Sequence, residues 1–191
     1  YQLDGILHDT IYDHSFALQR YIELRMNKVI QSLSTPLKKG MTFYKIYNDG
    51  FIVRTPSVTI AFDLNGKDGT LIPDSLMRLL VDHCDMLFIT HRHDDHADTH
   101  VAEMFAKAQK KIYGPTDLGP ENKNITHIRS EKLIDETIAI GRHHLKLCIL
   151  PGFQDDLLNN VYMVTFPEGY TVLHTGDQYD ANVLVILKEM Q

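Results

Sequence analysis

The amino-acid sequence predicts an α/β protein whose β-sheets carry helices on their outer faces, with one further helix appended at the N-terminal end. Three observations lead there: a meander of short β-branched and aromatic runs after residue 41, alternating helix and strand patterns between 74 and 113, and a succession of strands from 111 onward. Sheets with two apolar faces must be covered on both, and intervening helices supply one of the covers.

Taken in order, residues 14–34 place Leu18, Ile22, Met26, Val29 and Leu33 at spacings of three and four, one face of a helix, with Ser15 positioned as its cap. Thr35-Pro36 ends it, because a residue preceding proline is pushed out of helical conformation, and Leu37 to Gly40 form a polar joint. Residues 1–40 are therefore expected to be a helical extension packed on a main body at 41–191. In that body Thr42–Tyr47, Phe51–Arg54 and Val58–Phe62 are predicted strands, separated by Asn48-Asp49-Gly50 and Thr55-Pro56-Ser57. Asp74 opens a short helix with Leu76, Leu79, Leu80 and His83 on one face. Asp85–Thr90 is a strand whose consecutive apolar residues Met86-Leu87-Phe88-Ile89 predict burial on both faces. A helix from about Thr99 to Lys111 follows, then strands at Lys111–Tyr113, Ile125–Ile128, Thr137–Ile140, His144–Leu150, Asn160–Phe166 and Tyr170–His174.

Composition narrows the function. A chain of 191 residues, 43% hydrophobic and 23% charged, is sized for one domain with an appendage. No apolar stretch approaches the ~18–20 residues that cross a bilayer, so no membrane association is expected. The net charge of −6 speaks against nucleic acid as a partner, and Lys107, Lys110 and Lys111 are accounted for as a solvated helix face. A small-molecule substrate is the expected partner, and oligomeric state is written in no pattern of the sequence. Cys84 and Cys148 lie in apolar runs without metal-knuckle spacing and are expected to be buried hydrophobes. The chain begins at Tyr1, as both a processed secretion product and a fragment would, so cytoplasmic and exported locations are both open.

Of the 11 histidines, three fall within six residues, in Thr90-His91-Arg92-His93-Asp94-Asp95-His96, where a buried strand meets a helix. On an extended backbone His91 and His93 point to the same side and can reach one cation at ~2.0–2.1 Å. Asp95 and His96 follow at a turn that can bring them to a second. Imidazole with carboxylate is a ligand mix for zinc that also accepts iron or manganese. Gly176-Asp177, at the exit of a later strand, adds a further candidate carboxylate.

Thr90 to His96 resembles the THxHxDH signature of the metallo-β-lactamase superfamily. Phe51–Asp63 is similar to that family's opening sheet, and Val172-Leu173-His174-Thr175-Gly176-Asp177 resembles the strand-end Gly-Asp that supplies its bridging carboxylate. The resemblance spans residues 41–187, and the His-Thr-Gly-Asp form looks most like the ascorbate-phosphate-lactonase-like branch. It implies a four-layer αββα sandwich with metals at one edge of two facing sheets. His91 and His93 would hold a first metal, Asp95 and His96 a second, and Asp177 would bridge them. The activity it implies is metal-dependent hydrolysis of an ester, lactone or phosphoester bond by a metal-bound hydroxide that Asp95 orients. The implied cofactor is one or two zinc ions, with manganese or iron as alternatives. Two other functions are compatible: a nuclease of the same superfamily, disfavoured by the negative charge, and an inactive scaffold kept as a binding module.

Two parts of the family pattern depart. In the loop Pro151-Gly152-Phe153-Gln154-Asp155-Asp156, Phe153 stands where a third histidine is expected, with Gln154, Asp155 or Asp156 as substitute oxygen ligands favouring a harder metal. On that alignment Phe153→His should tighten metal binding. The family's last histidine has no counterpart before Gln191, so the C-terminal part of the domain is expected to be incomplete on this resemblance. Of the other histidines, His174 is a candidate to orient a ligand from behind. His143 and His144 point to opposite faces of a strand, and His8, His14, His83, His100 and His127 have surface or packing roles.

Overall fold

Neighbouring side chains of a strand face opposite ways, and in the first half of this chain both ways are apolar. Ile52, Ala61, Leu87 and Ile112 turn to one side, and Val53, Ile60, Phe62, Met86, Phe88 and Tyr113 to the other. A sheet built from such strands has to be covered twice. The computed structural model describes residues 16–67, 69–119, 122–129, 131–154 and 157–178 and contains both covers.

The elements run α1 (Phe16–Ser34), β1 (Thr42–Lys45), β2 (Phe51–Arg54), β3 (Thr59–Phe62), α2 (Asp74–His83), β4 (Met86–Phe88), α3 (Thr99–Lys107), β5 (Lys111–Pro115), β6 (Ile125–Ile128), β7 (Ile134–Ile140), β8 (His143–Gln154), β9 (Leu157–Thr165) and β10 (Thr171–His174). The first sheet has the order β1-β2-β3-β4-β5-β6, antiparallel from β1 to β3 and parallel from β3 to β6. The parallel pairs β3–β4 and β4–β5 each need a crossover, and α2 and α3 provide them. These two helices and α1 pack on one face of the sheet. The second sheet, antiparallel in the order β10-β9-β8-β7, packs on the other through Leu145, Leu147, Ile149, Tyr162, Val164 and Phe166. This is the predicted α/β sandwich, of the metallo-β-lactamase type. Helices, mixed sheet and antiparallel sheet make up its described layers. The outer helical layer that would complete αββα is not among the described residues.

α1 buries Leu18, Ile22, Met26 and Leu33 as its spacing predicts; Ser15, its expected cap, lies outside the described residues. The helix shares the core of α2 and α3 and is tied down by Arg54 Nη1, which donates to Ser32 O at 2.9 Å. α2 differs from expectation. Met77, Leu80 and Val81 are buried and Leu79 is 43% exposed, because Met77 and Leu79-Leu80-Val81 offer two overlapping apolar faces and packing selects one. The β8–β9 hairpin is also longer than predicted. It runs through Pro151 and Gly152, which pair with Asn160 and Asn159, and so extends past the core to the sheet edge. Cys84 and Cys148 are buried and free.

Phe88 lies at the centre of the intersheet core, stacked on Phe62 at 5.3 Å between ring centroids and tilted against Tyr162 at 4.9 Å and Tyr113 at 5.5 Å. Phe88→Ala should lower stability by about 3–5 kcal/mol in urea unfolding. A loss below about 1 kcal/mol would mean that this cluster does not hold the sheets together.

Candidate metal centre

The histidine motif begins where β4 leaves the first sheet, and both sheets grip that point. Ile89 N donates to Tyr113 O at 2.8 Å, Tyr162 Oη donates to Ile89 O at 2.9 Å, and Asn160 N donates to Thr90 O at 2.9 Å. The chain then turns: His96 N and Ala97 N both donate to His93 O, at 3.0 and 2.8 Å. Asp98 closes the turn by capping α3, accepting from Val101 N at 3.0 Å and from Gly66 N at 2.9 Å. The turn returns His96 to His91, with ring centroids 4.2 Å apart, and His93 also lies beside His91, at 4.7 Å.

Asp63, at the end of β3, fixes these rings from behind. It is fully buried, with a left-handed backbone (φ 42°) that aspartate tolerates better than most residues. Its Oδ1 accepts from Thr90 N at 2.8 Å, and its Oδ2 accepts from Thr90 Oγ1 and His96 Nδ1, each at 2.8 Å, and from His174 Nε2 at 2.7 Å. Because Nδ1 of His96 is engaged, Nε2 is the nitrogen that faces the cleft.

That Nε2 is buried and without a hydrogen-bond partner. Around it stand three carboxylates: Asp177 Oδ1 at 3.3 Å, Asp49 Oδ2 at 3.5 Å and Asp95 Oδ2 at 3.7 Å. Four donors at ~2.1 Å around a tetrahedral cation are about 3.4 Å from one another, so the separations fit a metal position. His91, His96 and Asp177 form one compatible group and Asp49, Asp95 and His96 another. His93 Nδ1 lies 3.1 Å from His91 Nε2. A buried imidazole nitrogen left unpaired amid carboxylates is costly unless a cation or proton occupies the space.

Gly176 brings Asp177 into place. Its φ is +53°, and a Cβ there would run into Asn159 Oδ1 and Thr90, so only glycine lets β10 pass this close to the motif. Gln154 Nε2 then donates to Asp177 Oδ2 at 2.9 Å.

The structure thus brings His91, His93, Asp95, His96 and Asp177 together. It corrects the alignment of β8. Phe153 is 41% exposed and turns away, whereas Gln154, one residue on and so on the opposite face of the strand, is buried beside Asp177. Phe153→His would therefore not reach the centre. Asp155 and Asp156 lie outside the described residues. His174 acts through Asp63 rather than on a ligand directly. Among the bland histidines, His100 pairs with Asp74 at 2.9 Å and His83 meets Ser34 Oγ at 3.1 Å; His8 and His14 lie outside the described residues. Sequence reading missed two site residues. Asp63 had a signal, an acid directly after the buried run Thr59–Phe62; Asp49 had none, since Asn-Asp-Gly is ordinary turn chemistry.

The rings differ in protonation. Burial, then the charge on His96, lowers the pKa of His91, leaving it in the neutral form that ligates. Burial also pulls His96 down, but the hydrogen bond and charge of Asp63, then Asp95 and Asp177, outweigh it and raise its pKa to about 9. Burial opposes ionisation of Asp63, yet His174 first and His96 second hold its carboxyl well below the usual range.

The fold recurs in solved structures of low sequence identity. Igni18, a metallo hydrolase from the archaeon Ignicoccus hospitalis, is similar with a TM-score of 0.55 and 19% identity over 76% of this chain and 64% of its own. A Parabacteroides distasonis protein carried under a metal-dependent hydrolase name gives 0.51 and 18% identity over 72% of this chain and 61% of its own. CmlA, a diiron beta-hydroxylase from Streptomyces venezuelae, gives 0.51 and 16% identity over 81% of this chain and 33% of its own. The chain therefore spans less than two thirds of the length of each, and at these identities the likeness establishes the fold. No family model matches the chain, and no curated protein matches it in sequence.

Two predictions follow from the geometry of His96. In the metal-free protein it holds a proton up to a pH of about 9, which a metal at Nε2 must displace. Zinc affinity, measured by chelator competition, should therefore rise about tenfold per unit between pH 6.5 and 8.5 instead of levelling off near the ordinary histidine pKa. A flat profile there would contradict ligation by His96. Asp63→Asn should weaken zinc binding about 10–100-fold although Asp63 touches no metal position; unchanged affinity in a folded variant would show that His96 does not depend on it.

Proposed function

We propose that the chain is a metal-dependent hydrolase acting on a small molecule through an ester, lactone or phosphoester bond. The observation that carries this is the buried, unpartnered His96 Nε2 facing three carboxylates beside His91 and His93. His91, His93 and Asp177 would hold one cation, and Asp95 and His96, again with Asp177, a second. A divalent cation held there would polarise a carbonyl or phosphoryl oxygen and bring the pKa of a water down towards neutrality. The protein's own groups supply orientation. Asp63 fixes the His96 ring, Gln154 holds Asp177 by one oxygen, and Asp95, half exposed at the mouth, is available to accept a hydrogen bond from the attacking water. The fold it shares with Igni18 is compatible with this chemistry.

Zinc suits the imidazoles, whereas the carboxylates and the amide of Gln154 favour manganese or iron; CmlA, part of which shares this fold, is a diiron enzyme. The lactonase-like branch is one candidate for substrate class. The net charge of −6 weighs against a nuclease.

Elemental analysis of protein purified without chelator, combined with turnover of chromogenic esters, lactones and phosphodiesters, tests the proposal. Bound metal with turnover lost in both His91→Ala and His96→Ala is the expected result. Metal-free protein that stays inert after loading with zinc, manganese or iron would instead identify a scaffold retained for binding.

A further inference from the structure

Building on the metal-site reading above, we propose that Asp49, on the turn between β1 and β2, is a ligand of the centre and completes the position of His96 and Asp95. A hairpin turn ordinarily aims its polar side chains at water. This one is folded down onto the site. Asn48 adopts a left-handed conformation (φ 51°), Ile46 N donates to Gly50 O at 3.0 Å, and Gly50 N donates to Tyr47 O at 2.8 Å. Gly50 has no room for a side chain: a Cβ would lie 2.8 Å from Tyr47 O and 2.9 Å from Asp63 O. The turn therefore rests on the backbone of the residue that anchors the histidine motif.

The result is Asp49 Oδ2 at 3.5 Å from His96 Nε2, within the range spanned by Asp95 and Asp177. Lys45 Nζ lies 3.8 Å from the other oxygen, Oδ1, and donates to Asn48 O, so this exposed pairing does not occupy Oδ2. Three carboxylates converging on one nitrogen repel one another, and the nitrogen itself is fully buried with no hydrogen-bond partner. One nitrogen and two carboxylate oxygens, from the β1–β2 turn and the motif, lie close enough together to form a donor set for a divalent first-row cation. Such a cation would also staple the β1–β2 hairpin to the loop before α3.

Zinc titration of the whole 191-residue chain against a chromophoric chelator, with hydrogen exchange of residues 45–51, tests this. Asparagine is nearly isosteric with aspartate and common in turns, so Asp49→Asn is expected to fold. It should weaken one zinc equivalent by at least about tenfold, comparable with the loss of a ligand's support, and leave the other equivalent unchanged. Asp49→Glu, which keeps a carboxylate, should recover part of the loss. Zinc should slow exchange in residues 45–51 of the native chain and not of Asp49→Asn. If Asp49→Asn binds and is protected like the native chain while His96→Ala loses zinc, Asp49 is a bystander and the centre stands without it. If the native chain binds neither zinc nor, in the same titration, manganese or iron, both the ligand assignment and the metal centre are overturned.

Discussion

The buried carboxylate of Asp63 is the interaction on which the arrangement of the centre depends. Two oxygens accept four hydrogen bonds, from Thr90 N, Thr90 Oγ1, His96 Nδ1 and His174 Nε2. They join the end of β3 to the motif after β4 in the first sheet and to β10 in the second. An unpaired ionised group at full burial would be prohibitively costly; here each donor is a group that must be held for another purpose. Thr90 sets the course of the motif, His96 presents its remaining nitrogen to the cleft, and His174 fixes the strand that ends in Asp177. Removing the carboxylate would disorganise three segments at once.

The parallel geometry of β3 and β4 makes this possible. Parallel strands end on the same side, so Asp63 and Thr90 emerge together at the carboxyl edge of the sheet, where open α/β sheets place their ligands. The second sheet reaches this edge because β8 and β9 extend beyond the intersheet core, which brings Gln154 and Asn159 to the cleft and lets Asn160 and Tyr162 clasp the backbone of Thr90 and Ile89. Gln154 Oε1 and Asn159 Oδ1 are, with His96 Nε2, the buried side-chain atoms left without partners among the described residues. All three belong to the same region, so among the described residues the buried side-chain atoms without partners gather where a ligand would be bound.

Much of this was legible in the sequence, and the parts that were not share a cause. Period and composition marked the layers because burial on both faces leaves consecutive apolar residues, as in Met86-Leu87-Phe88. The motif was legible because its residues are close in sequence and their chemistry is rarely assembled by accident. Pro151-Gly152 looked like a loop, although proline and glycine there lie within a strand whose partner continues, and this offset turned attention to Phe153 instead of Gln154. For α2, two overlapping apolar faces left the choice to tertiary packing. Asp49 was silent for another reason: the β2–β3 pairing sets Gly50 opposite Asp63, but nothing in Asn48-Asp49-Gly50 tells that the turn folds onto the site instead of out to water.

The electrostatics of the cleft explain why the carboxylates can converge at all. Asp49, Asp95 and Asp177 lie 3.3–3.7 Å from one nitrogen, and without a positive charge between them the arrangement would spread. The proton on His96 supplies one such charge, since Asp63 stabilises the imidazolium from behind while Asp95 and Asp177 favour it from the front. A divalent cation at the same nitrogen supplies more charge at the same point and leaves Nδ1–H on Asp63 undisturbed. On the proposed reading, proton and metal would be alternative occupants of one site, and the hydrogen bonds that hold the ring would serve both. The protonated ring can thus keep the acidic cleft assembled without a metal, and a metal bound at Nε2 would have to displace that proton.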